Sequence, residues 1–527
     1  MRLRRLAPLL LLLACGDDAG SDSDAGSDGL SVDARTVDAG SVDAGSVDAQ
    51  APDANLPTEL KAFPTAYGAG AYATGGRGGT VVAVTRLDDA RNEDGSAVEG
   101  TLRFALRQTF PRIIIFRVSG TIVVGDLDGN GTLDESEVGD LRWPGMIAME
   151  DAAYSNFTVA GQTAPEGGIT VRGHVYTDQV SNMVWRYVRF RKNTDARTRA
   201  DNESFHDFDA LGFHDVENVV IDHVSLAFGT DEALDVDLLG ATPGAGASIQ
   251  YTVLSDSKTG TILGGNGPEA VFSFHNNFYS RITHRFPNVG GDGHFEVTNN
   301  LVHNWRFRLV NVHNALTVNH INNAYVAGVQ TRDATNINNI ANRIHPSTDG
   351  ILDTRIFTAG NFITDVLTDP SADNWSSWQV FIDGGGLSQN DPAPASMQVF
   401  EAFPRVAPAA PLRTAEEVIA SLPDEVGAFR TLDENGNIVV YRDDIDRSLI
   451  AELRDGDGEG SAYSYSRDGF VHVTVPSNAP YPDTDGDGMP DAWESANGFD
   501  PETADDSGDA DGDGYTNIEE FLNEVDG

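Results

Sequence analysis

The sequence predicts an all-β protein, a parallel β-solenoid followed by a small C-terminal segment of calcium-binding loops. From about Thr58 the chain consists of short β-rich runs separated by Gly, Asn and Asp, with little helical periodicity. Asparagine pairs at 276–277, 299–300 and 322–323 recur at a spacing of 23 residues, each after a strand-like alternation. In a solenoid such residues stack on coils about 4.8 Å apart and form hydrogen-bonded ladders.

The N-terminus predicts export and a lipid anchor. Three arginines precede an apolar run from Leu6 to Ala14, which is too short to span a bilayer and is typical of a signal peptide. The run ends in Leu-Leu-Ala-Cys, which resembles the bacterial lipoprotein cleavage box, so Cys15 is the predicted lipidation site. The alternative is a free thiol in a signal peptide. We expect a secreted lipoprotein of the outer membrane or cell surface that touches membrane only through this anchor.

The composition then divides the chain into five predicted segments. Residues 16–57 repeat phrases such as SVDAG and hold too little apolar surface to fold, so they form a disordered Asp/Ser/Ala/Gly tether after the signal at 1–15. The solenoid occupies 58–400. An extension with two short helices follows at 401–480, and the calcium-binding repeats occupy 481–527.

The charge restricts the partners. The 527 residues carry a formal net charge of −46, which repels nucleic acid and anionic lipid. It also repels a polyanionic sugar unless metal ions or a local basic patch intervene. We therefore expect a monomer with no nucleic-acid partner, in which calcium reconciles an acidic chain with an acidic polysaccharide.

Acidic residues on consecutive coils predict a metal site. Asp209 and Asp231 are nearly one coil apart, and Asp207 and Asp235 lie in the same two strands. Carboxylates that converge on one face repel one another unless a cation lies between them. Oxygen ligands without a Cys/His cluster favour calcium over zinc. The alternative is a solvated acidic face.

Two basic residues follow on later coils, Lys258 and Arg285. A cationic side chain beside bound calcium is where a uronate carboxylate would be held. For Lys258 alone, an ordinary surface lysine is the alternative.

Three segments match a twelve-residue calcium loop, D-x-D-x-[DN]-G-x5-E, in which glycine permits a sharp turn and acidic side chains surround one ion. The predicted ligands are Asp126, Asp128, Asn130, Asp134 and Glu137 in the first loop, Asp483, Asp485, Asp487, Asp491 and Glu494 in the second, and Asp509, Asp511, Asp513, Asn517 and Glu520 in the third. The last two resemble thrombospondin type 3 or EF-hand-like repeats, for which we expect a structural role.

Several phrases of the chain resemble the pectate lyase family, especially its bacterial branch with the AGQTAP phrase. They are GAGAYATGGRGGTVVAVTRL (68–87), PRIIIFRVSGTI (111–122), VAGQTAPEGGITVRG (159–173), IDHVSLAFGTDEALDV (221–236) and FHNNFYSRITHRFP (274–287). The resemblance extends in the same order from about residue 62 to 450. It implies a right-handed parallel β-helix that cleaves polygalacturonate by β-elimination with calcium.

The resemblance also implies roles for individual residues. Asp209, Asp231 and Asp235 match the family's calcium ligands, with Asp207 as a secondary candidate. Arg285, in an Arg-Phe-Pro phrase, matches the arginine that takes the C5 proton, and Lys258 lies near the substrate-binding lysine.

The sequence departs from the family at two positions. Gly290 stands where some members have a second arginine, and Asn276 stands where many have a histidine. These differences leave the uronan open. Gly290 also keeps in view an inactive surface β-helix that binds carbohydrate. A hydrolase on the same fold is a third alternative, but its paired Asp residues would have to come from the calcium-type cluster.

Overall fold

The computed structural model describes residues 60–132, 145–192, 209–333, 341–346, 351–456 and 475–527. All of them belong to one compact unit, Thr58–Gly527. The predicted signal peptide with Cys15, the predicted tether, and the candidate ligands Asp134, Glu137 and Asp207 lie outside the described residues.

The described chain is dominated by short strands. In chain order the strands of the β-helix are β1 (Thr80–Val84), β2 (Arg112–Phe116), β3 (Gly120–Val123), β4 (Met146–Met149), β5 (Phe157–Ala160), β6 (Ile169–Arg172), β7 (His174–Asp178), β8 (Met183–Arg186), β9 (Val188–Arg191), β10 (Leu211–Val216), β11 (Val219–Asp222), β12 (Ser225–Ala227), β13 (Glu232–Leu238), β14 (Ala247–Gln250), β15 (Val253–Ser255), β16 (Thr259–Gly265), β17 (Val271–His275), β18 (Phe278–Ser280), β19 (Asn288–Gly291), β20 (His294–Thr298), β21 (Leu301–His303), β22 (Asn311–Val312), β23 (Thr317–Ile321), β24 (Ala324–Val326), β25 (Asn342–Ile344), β26 (Arg355–Ala359), β27 (Phe362–Ile363), β28 (Trp378–Val380) and β29 (Gln398–Val399).

These strands form three parallel sheets, and each coil of the chain contributes one strand to each sheet in turn. Sheet 1 has eleven strands in the order β1-β2-β5-β8-β11-β14-β17-β20-β23-β26-β29. Sheet 2 has nine, β3-β6-β9-β12-β15-β18-β21-β24-β27, and sheet 3 has nine, β4-β7-β10-β13-β16-β19-β22-β25-β28. The chain is a right-handed parallel β-helix, as its sequence predicts.

Stacked coils bury a continuous apolar core inside the three sheets. Phe272 of β17 pairs in register with Phe295 of β20, and their rings stack with centroids 5.0 Å apart. Such side chains point inward at the same phase on every coil, so each coil covers the apolar face of the one before it. The regular spacing in the sequence is therefore the register of the sheets.

The Asn pairs form the turns between sheet 1 and sheet 2. The first residue of each pair, Asn276, Asn299 or Asn322, has a positive φ near 55°, a conformation that Asn tolerates better than most residues. The second residue forms a buried ladder, because Nδ2 of Asn277 donates to Oδ1 of Asn300 at 3.1 Å, and Asn300 donates to the next coil at 3.0 Å. The predicted ladder is thus present.

Of the remaining elements, the first helix contributes Leu102, Ala105 and Leu106 to the interior core, and the C-terminal helices pack on the outside of the β-helix. The helices are α1 (Leu102–Leu106), α2 (Val329–Asp333), α3 (Ala415–Glu425), α4 (Asp444–Asp455), α5 (Asp491–Asn497) and α6 (Asn517–Asn523), and a hairpin joins β30 (Arg430–Leu432) to β31 (Ile438–Val440). Short 3-10 helices occur at Ala152–Tyr154, Gly161–Thr163, Ile351–Asp353, Asn374–Ser377, Ala395–Met397 and Glu524–Asp526. Among the described residues, no helix has both the length and the apolar character needed to cross a membrane.

Two apolar clusters attach the C-terminal elements to the β-helix. Helices α3 and α4 bury Val418 and Leu449 against outward residues of sheet 2 such as Phe278. Helices α5 and α6 pack in the same way on sheet 1. Neither pair of helices packs on sheet 3. The candidate functional residues lie at the edge and on the outer face of this sheet.

We predict that the Asn ladder is a major source of stability. Asn300→Ala removes four hydrogen bonds, two of them from its Nδ2 to Phe274 O and Asn323 Oδ1, and leaves buried partners unsatisfied. We expect a loss of about 3 kcal/mol, seen as a lower midpoint of guanidinium unfolding by circular dichroism. Asn435→Ala, at an exposed position, is the matched control; equal midpoints for both variants would contradict the prediction.

Candidate active site

Candidate residues meet at one edge of sheet 3, where the chain turns from sheet 2. Asp209 immediately precedes the turn into β10, Asp231 precedes β13, Lys258 precedes β16, and Arg285 lies in the turn before β19. The strands β10, β13, β16 and β19 are consecutive neighbours in the sheet. Because parallel strands start at the same edge, these four side chains come from four successive coils and lie side by side.

The acidic part of the site is a tight cluster. Single ligand atoms of Asp209, His214 and Asp235 all lie within 4.8 Å of one another. The Asp209 carboxylate also accepts a hydrogen bond from the Glu232 N–H at 3.0 Å, which fixes it against the next coil. The strand register pairs Gly212 of β10 with Asp235 of β13. Three residues earlier in both segments, Asp209 therefore lies opposite Glu232, which directly follows Asp231.

The electrostatics of the cluster disfavour charged carboxylates, first through burial and then through mutual repulsion. Burial, followed by the negative charge of Asp231, raises the pKa of Asp209 to about 8. Burial and Asp237 likewise raise the pKa of Asp235 well above its usual range. Burial opposes charge on His214, but the hydrogen bond that His214 donates to the Asp237 carboxylate and the charge of Asp235 outweigh it and raise the pKa of His214 to about 10.

These residues fit a hard cation. Carboxylate oxygens are the ligands that calcium prefers, and an ion between Asp209, Asp231 and Asp235 would offset the repulsion that, after burial, raises the pKa values of Asp209 and Asp235. Oδ1 of Asp235 is buried and accepts no hydrogen bond from the described part of the chain. A coordinating ion or an ordered water would satisfy such an oxygen.

The basic part of the site adjoins the acidic part. Lys258 Nζ lies 3.8 Å from Asp231 Oδ1. The Arg285 guanidinium contacts the carboxylate of Glu232, whose side chain is 3% exposed and also accepts from Thr259 Oγ1 at 2.9 Å. Glu232 therefore holds Arg285 in a fixed orientation, with 11% of its side chain exposed at the surface of the turn.

The backbone beneath Arg285 is close-packed. The Thr261 N–H donates to the Arg285 carbonyl at 2.9 Å, and a Cβ added to Gly260 would lie 2.1 Å from that carbonyl oxygen. Only glycine permits this approach, so Gly260 sets the height of Arg285 above the sheet.

A second arginine enters from the next coil. Asn288 of β19 pairs in register with Asn311 of β22, and the same offset of 23 residues puts Arg308 at the position equivalent to Arg285 on the next coil. Arg308 is 5% exposed, and its guanidinium lies over the Phe381 ring, 4.4 Å from its centroid. Burial lowers the pKa of His313 to about 3, and the nearby charges of His345, Arg308 and Arg285 act in the same direction.

The structure brings Asp209, Asp231, Asp235, Lys258 and Arg285 together. The sequence analysis missed His214, Glu232, Asp237 and Arg308. His214 and Asp237 have the same spacing as the Asn pairs, and so do Arg285 and Arg308, so the coil period could have identified them.

The two departures from the family pattern lie in different places. Gly290 is in β19 and pairs with Gly264 of β16, inside the sheet. Asn276 lies at the other turn, between sheets 1 and 2, where it accepts from Arg413 Nη2 at 2.5 Å. Asn276 is therefore remote from the site, and only Gly290 bears on its chemistry.

The predicted calcium loops lie apart from this site. In the first, the Asp126 carboxylate accepts hydrogen bonds from the N–H groups of Gly129, Asn130 and Gly131. In each of the other two, the first three acidic residues bring oxygens within 4.8 Å of one another; these residues are Asp483, Asp485 and Asp487, and Asp509, Asp511 and Asp513.

Comparison with known proteins points to one group of enzymes. No family model matches the chain. It is similar to proteins described as probable pectate lyase C from Aspergillus fumigatus (28% identity over 476 residues, 89% of this chain and 94% of the relative) and Aspergillus oryzae (28% over 475 residues, 88% and 94%). Similarity over nearly nine-tenths of the chain relates it to pectate lyases.

Solved structures give weaker likenesses. The major allergen from cedar pollen superposes with a TM-score of 0.43 at 17% identity, covering 69% of this chain and 92% of its own. A variant of Bacillus subtilis pectate lyase superposes with a TM-score of 0.43 at 15% identity, covering 70% and 98%.

We predict that the carboxylate cluster costs stability until a cation binds. Asp235→Asn removes one of the repelling charges, so in chelator we expect it to stabilise the protein by about 1 kcal/mol. In millimolar calcium the parent protein should gain more stability than the variant, measured as the shift in thermal midpoint. Glu269→Gln, an exposed acid, is the control, and an identical calcium-induced shift in Asp235→Asn and the parent would contradict the prediction.

Proposed function

We propose that this chain is a calcium-dependent polysaccharide lyase that cleaves polygalacturonate by β-elimination. The observation that carries the proposal is the placement of Arg285 and Lys258 beside the acidic cluster, on consecutive coils at one edge of sheet 3. The similarity to pectate lyases over most of the chain supports the same reaction.

In β-elimination the C5 proton leaves, the bond from C4 to the bridging oxygen breaks, and a C4=C5 double bond forms. The departing oxygen takes a proton from water. Calcium held by Asp209, Asp231 and Asp235 would neutralise the charge that develops on the substrate carboxylate. Lys258, one coil beyond Asp231, adds a second positive charge for the same carboxylate.

Arg285 is the residue that we assign to the C5 proton. An arginine is normally protonated, since its pKa exceeds about 12, so its position must make up for its weakness as a base. The buried Glu232 carboxylate and the close-packed backbone at Gly260 fix that position. Glu232 acts through Arg285 and is a positioning residue.

Arg308 extends the basic surface along the β-helix axis. A polymer laid across the coils meets an equivalent position about every 4.8 Å, so Arg308 follows Arg285 as the next residue that can hold a uronate. The chain has a net charge of −46, which repels a polyanion, so the local positive charges of Arg285 and Arg308 would be needed to bind one.

We also propose that the enzyme is exported and held at the cell surface through lipidated Cys15, and that it acts as a monomer. The signal-like N-terminus and its lipoprotein-like cleavage box support the anchor. Export would place the site where a plant-type acidic polysaccharide is found.

Replacing Arg285 tests the proposed reaction. Arg285→Ala should reduce activity on polygalacturonate by at least a thousandfold, because the proton acceptor is lost. The measurement is the ultraviolet absorbance of the unsaturated product in calcium-containing buffer, and a chelator should suppress it in the parent protein. Arg447→Ala, an exposed arginine on α4, is the control.

Other products of this assay would support other functions. Polysaccharide binding without new absorbance in the parent protein would support a carbohydrate-binding β-helix. New reducing ends without unsaturation would support a hydrolase. Unsaturation with another uronan, but not with polygalacturonate, would correct the substrate alone.

Replacing Arg308 tests its proposed role in substrate binding. Arg308→Gln should raise KM for polygalacturonate about tenfold and change kcat less, since the side chain binds a uronate away from the bond that breaks. Kinetics on the polymer and on a short oligomer measure this split. A fall in kcat at unchanged KM would instead place Arg308 in the chemical step.

A further inference from the structure

A second group of acidic residues lies near the C-terminus, on the opposite side of the coil from the candidate active site. The segment 483–487 turns back on itself, so that oxygens of Asp483, Asp485 and Asp487 lie within 4.8 Å of one another. The N–H groups of Gly486 and Gly488 donate to Asp483 and fix the turn. An acidic turn is not by itself a metal site, so the residues around it decide the matter.

Glu494 supplies the independent observation. It lies on α5 with its whole side chain buried, and neither carboxylate oxygen has a hydrogen-bond partner among the described residues. A buried carboxylate without partners costs several kcal/mol, so native proteins satisfy it with a hydrogen bond or an ion. Its oxygens lie within 4.8 Å of oxygens of Asp487 and Asp505. Burial and the charge of Asp487 raise its pKa to about 8.

Asp505 belongs to neither twelve-residue loop, yet it joins both. Its N–H donates to Asp487 of the second loop at 3.2 Å. Its carbonyl accepts from Nδ2 of Asn517, in the third loop, at 2.8 Å. The side chain of Asp505 is thus held at the junction of the two repeats and faces Glu494.

The other predicted ligand of the second loop has a different task. Asp491 accepts hydrogen bonds from the N–H and the hydroxyl of Thr484, both at 2.7 Å. Its carboxylate is therefore satisfied by the loop itself. The oxygens that lie close enough together for one ion come from Asp483, Asp485 and Asp487 and, sharing Asp487, from Glu494 and Asp505.

We propose that these five residues bind calcium, and that the ion fastens the C-terminal segment to the outer face of sheet 1. Asp505 is the ligand that the loop pattern does not include. Because Asp505 contacts both repeats, the ion would link them in a joint, whereas an isolated loop would supply all of the ligands itself.

The contacts of the segment explain how an ion at this place reaches the β-helix. Trp493 of α5 and Phe521 of α6 pack with Ile113 and Ile115 of β2 in one buried cluster. Asp483 also forms an ion pair with Arg117, which follows β2, at 2.8 Å. Calcium neutralises the carboxylates that would otherwise force α5 away from this cluster.

The test uses the full chain and calcium chloride, with Glu494→Gln, Asp505→Asn and the exposed control Glu502→Gln. Calorimetric titration should show one site fewer in Glu494→Gln and about tenfold weaker binding at that site in Asp505→Asn. Hydrogen exchange of 491–497 and 517–523 should speed up in chelator, while exchange of β17, β20 and β23 stays slow.

The outcomes decide the proposal without reference to catalysis. Unchanged stoichiometry in Glu494→Gln, or exchange of α5 that ignores calcium, would overturn it. Loss of a site in Glu494→Gln with unchanged affinity in Asp505→Asn would overturn the joint and leave an ordinary loop. The parent protein in chelator repeats the exchange test without any substitution, so a variant that fails to fold cannot obscure the answer.

Discussion

The hydrogen-bonded register between successive coils is the constraint on which the rest of this structure depends. Parallel strands bring residue i beside its equivalent one coil later, so every side chain is stacked on a fixed partner about 4.8 Å away. In the interior this register aligns phenylalanines and asparagines, which stabilise one another. At the edge of sheet 3 it brings Asp209, Asp231, Lys258 and Arg285 side by side, and the carboxylates among them repel one another.

The carboxylates at that edge destabilise the fold when charged, as their raised pKa values show. Stacking puts carboxylates next to carboxylates, and burial raises the pKa of Asp209 to about 8. A fold chosen for stability alone would separate these charges. Their persistence beside a fixed arginine is typical of a site where burial and like charges are kept for chemistry.

Much of this could be predicted from the sequence, and the reason is the periodicity. Asn276, Asn299 and Asn322 revealed the coil length because each turn needs the same positive φ, so the same residue type recurs. The acidic cluster and Arg285 followed from spacing and family likeness. Glu232 could not be found in this way, since its role depends on burial beneath Arg285, and a glutamate next to Asp231 looks like one more surface acid.

Arg308 shows a different limit of sequence comparison. Some members of the pectate lyase family carry a second arginine five residues after the first, and at that position this chain has Gly290, which suggests a missing contact. In a solenoid, however, the neighbours of a residue include the equivalent positions on the coils above and below it. The register of β19 and β22, in which Asn288 pairs with Asn311, puts Arg308 at the position equivalent to Arg285 on the next coil. The arginine next to Arg285 is therefore found across the coils, and the functional residues of a β-helix are better compared by coil position than by sequence offset.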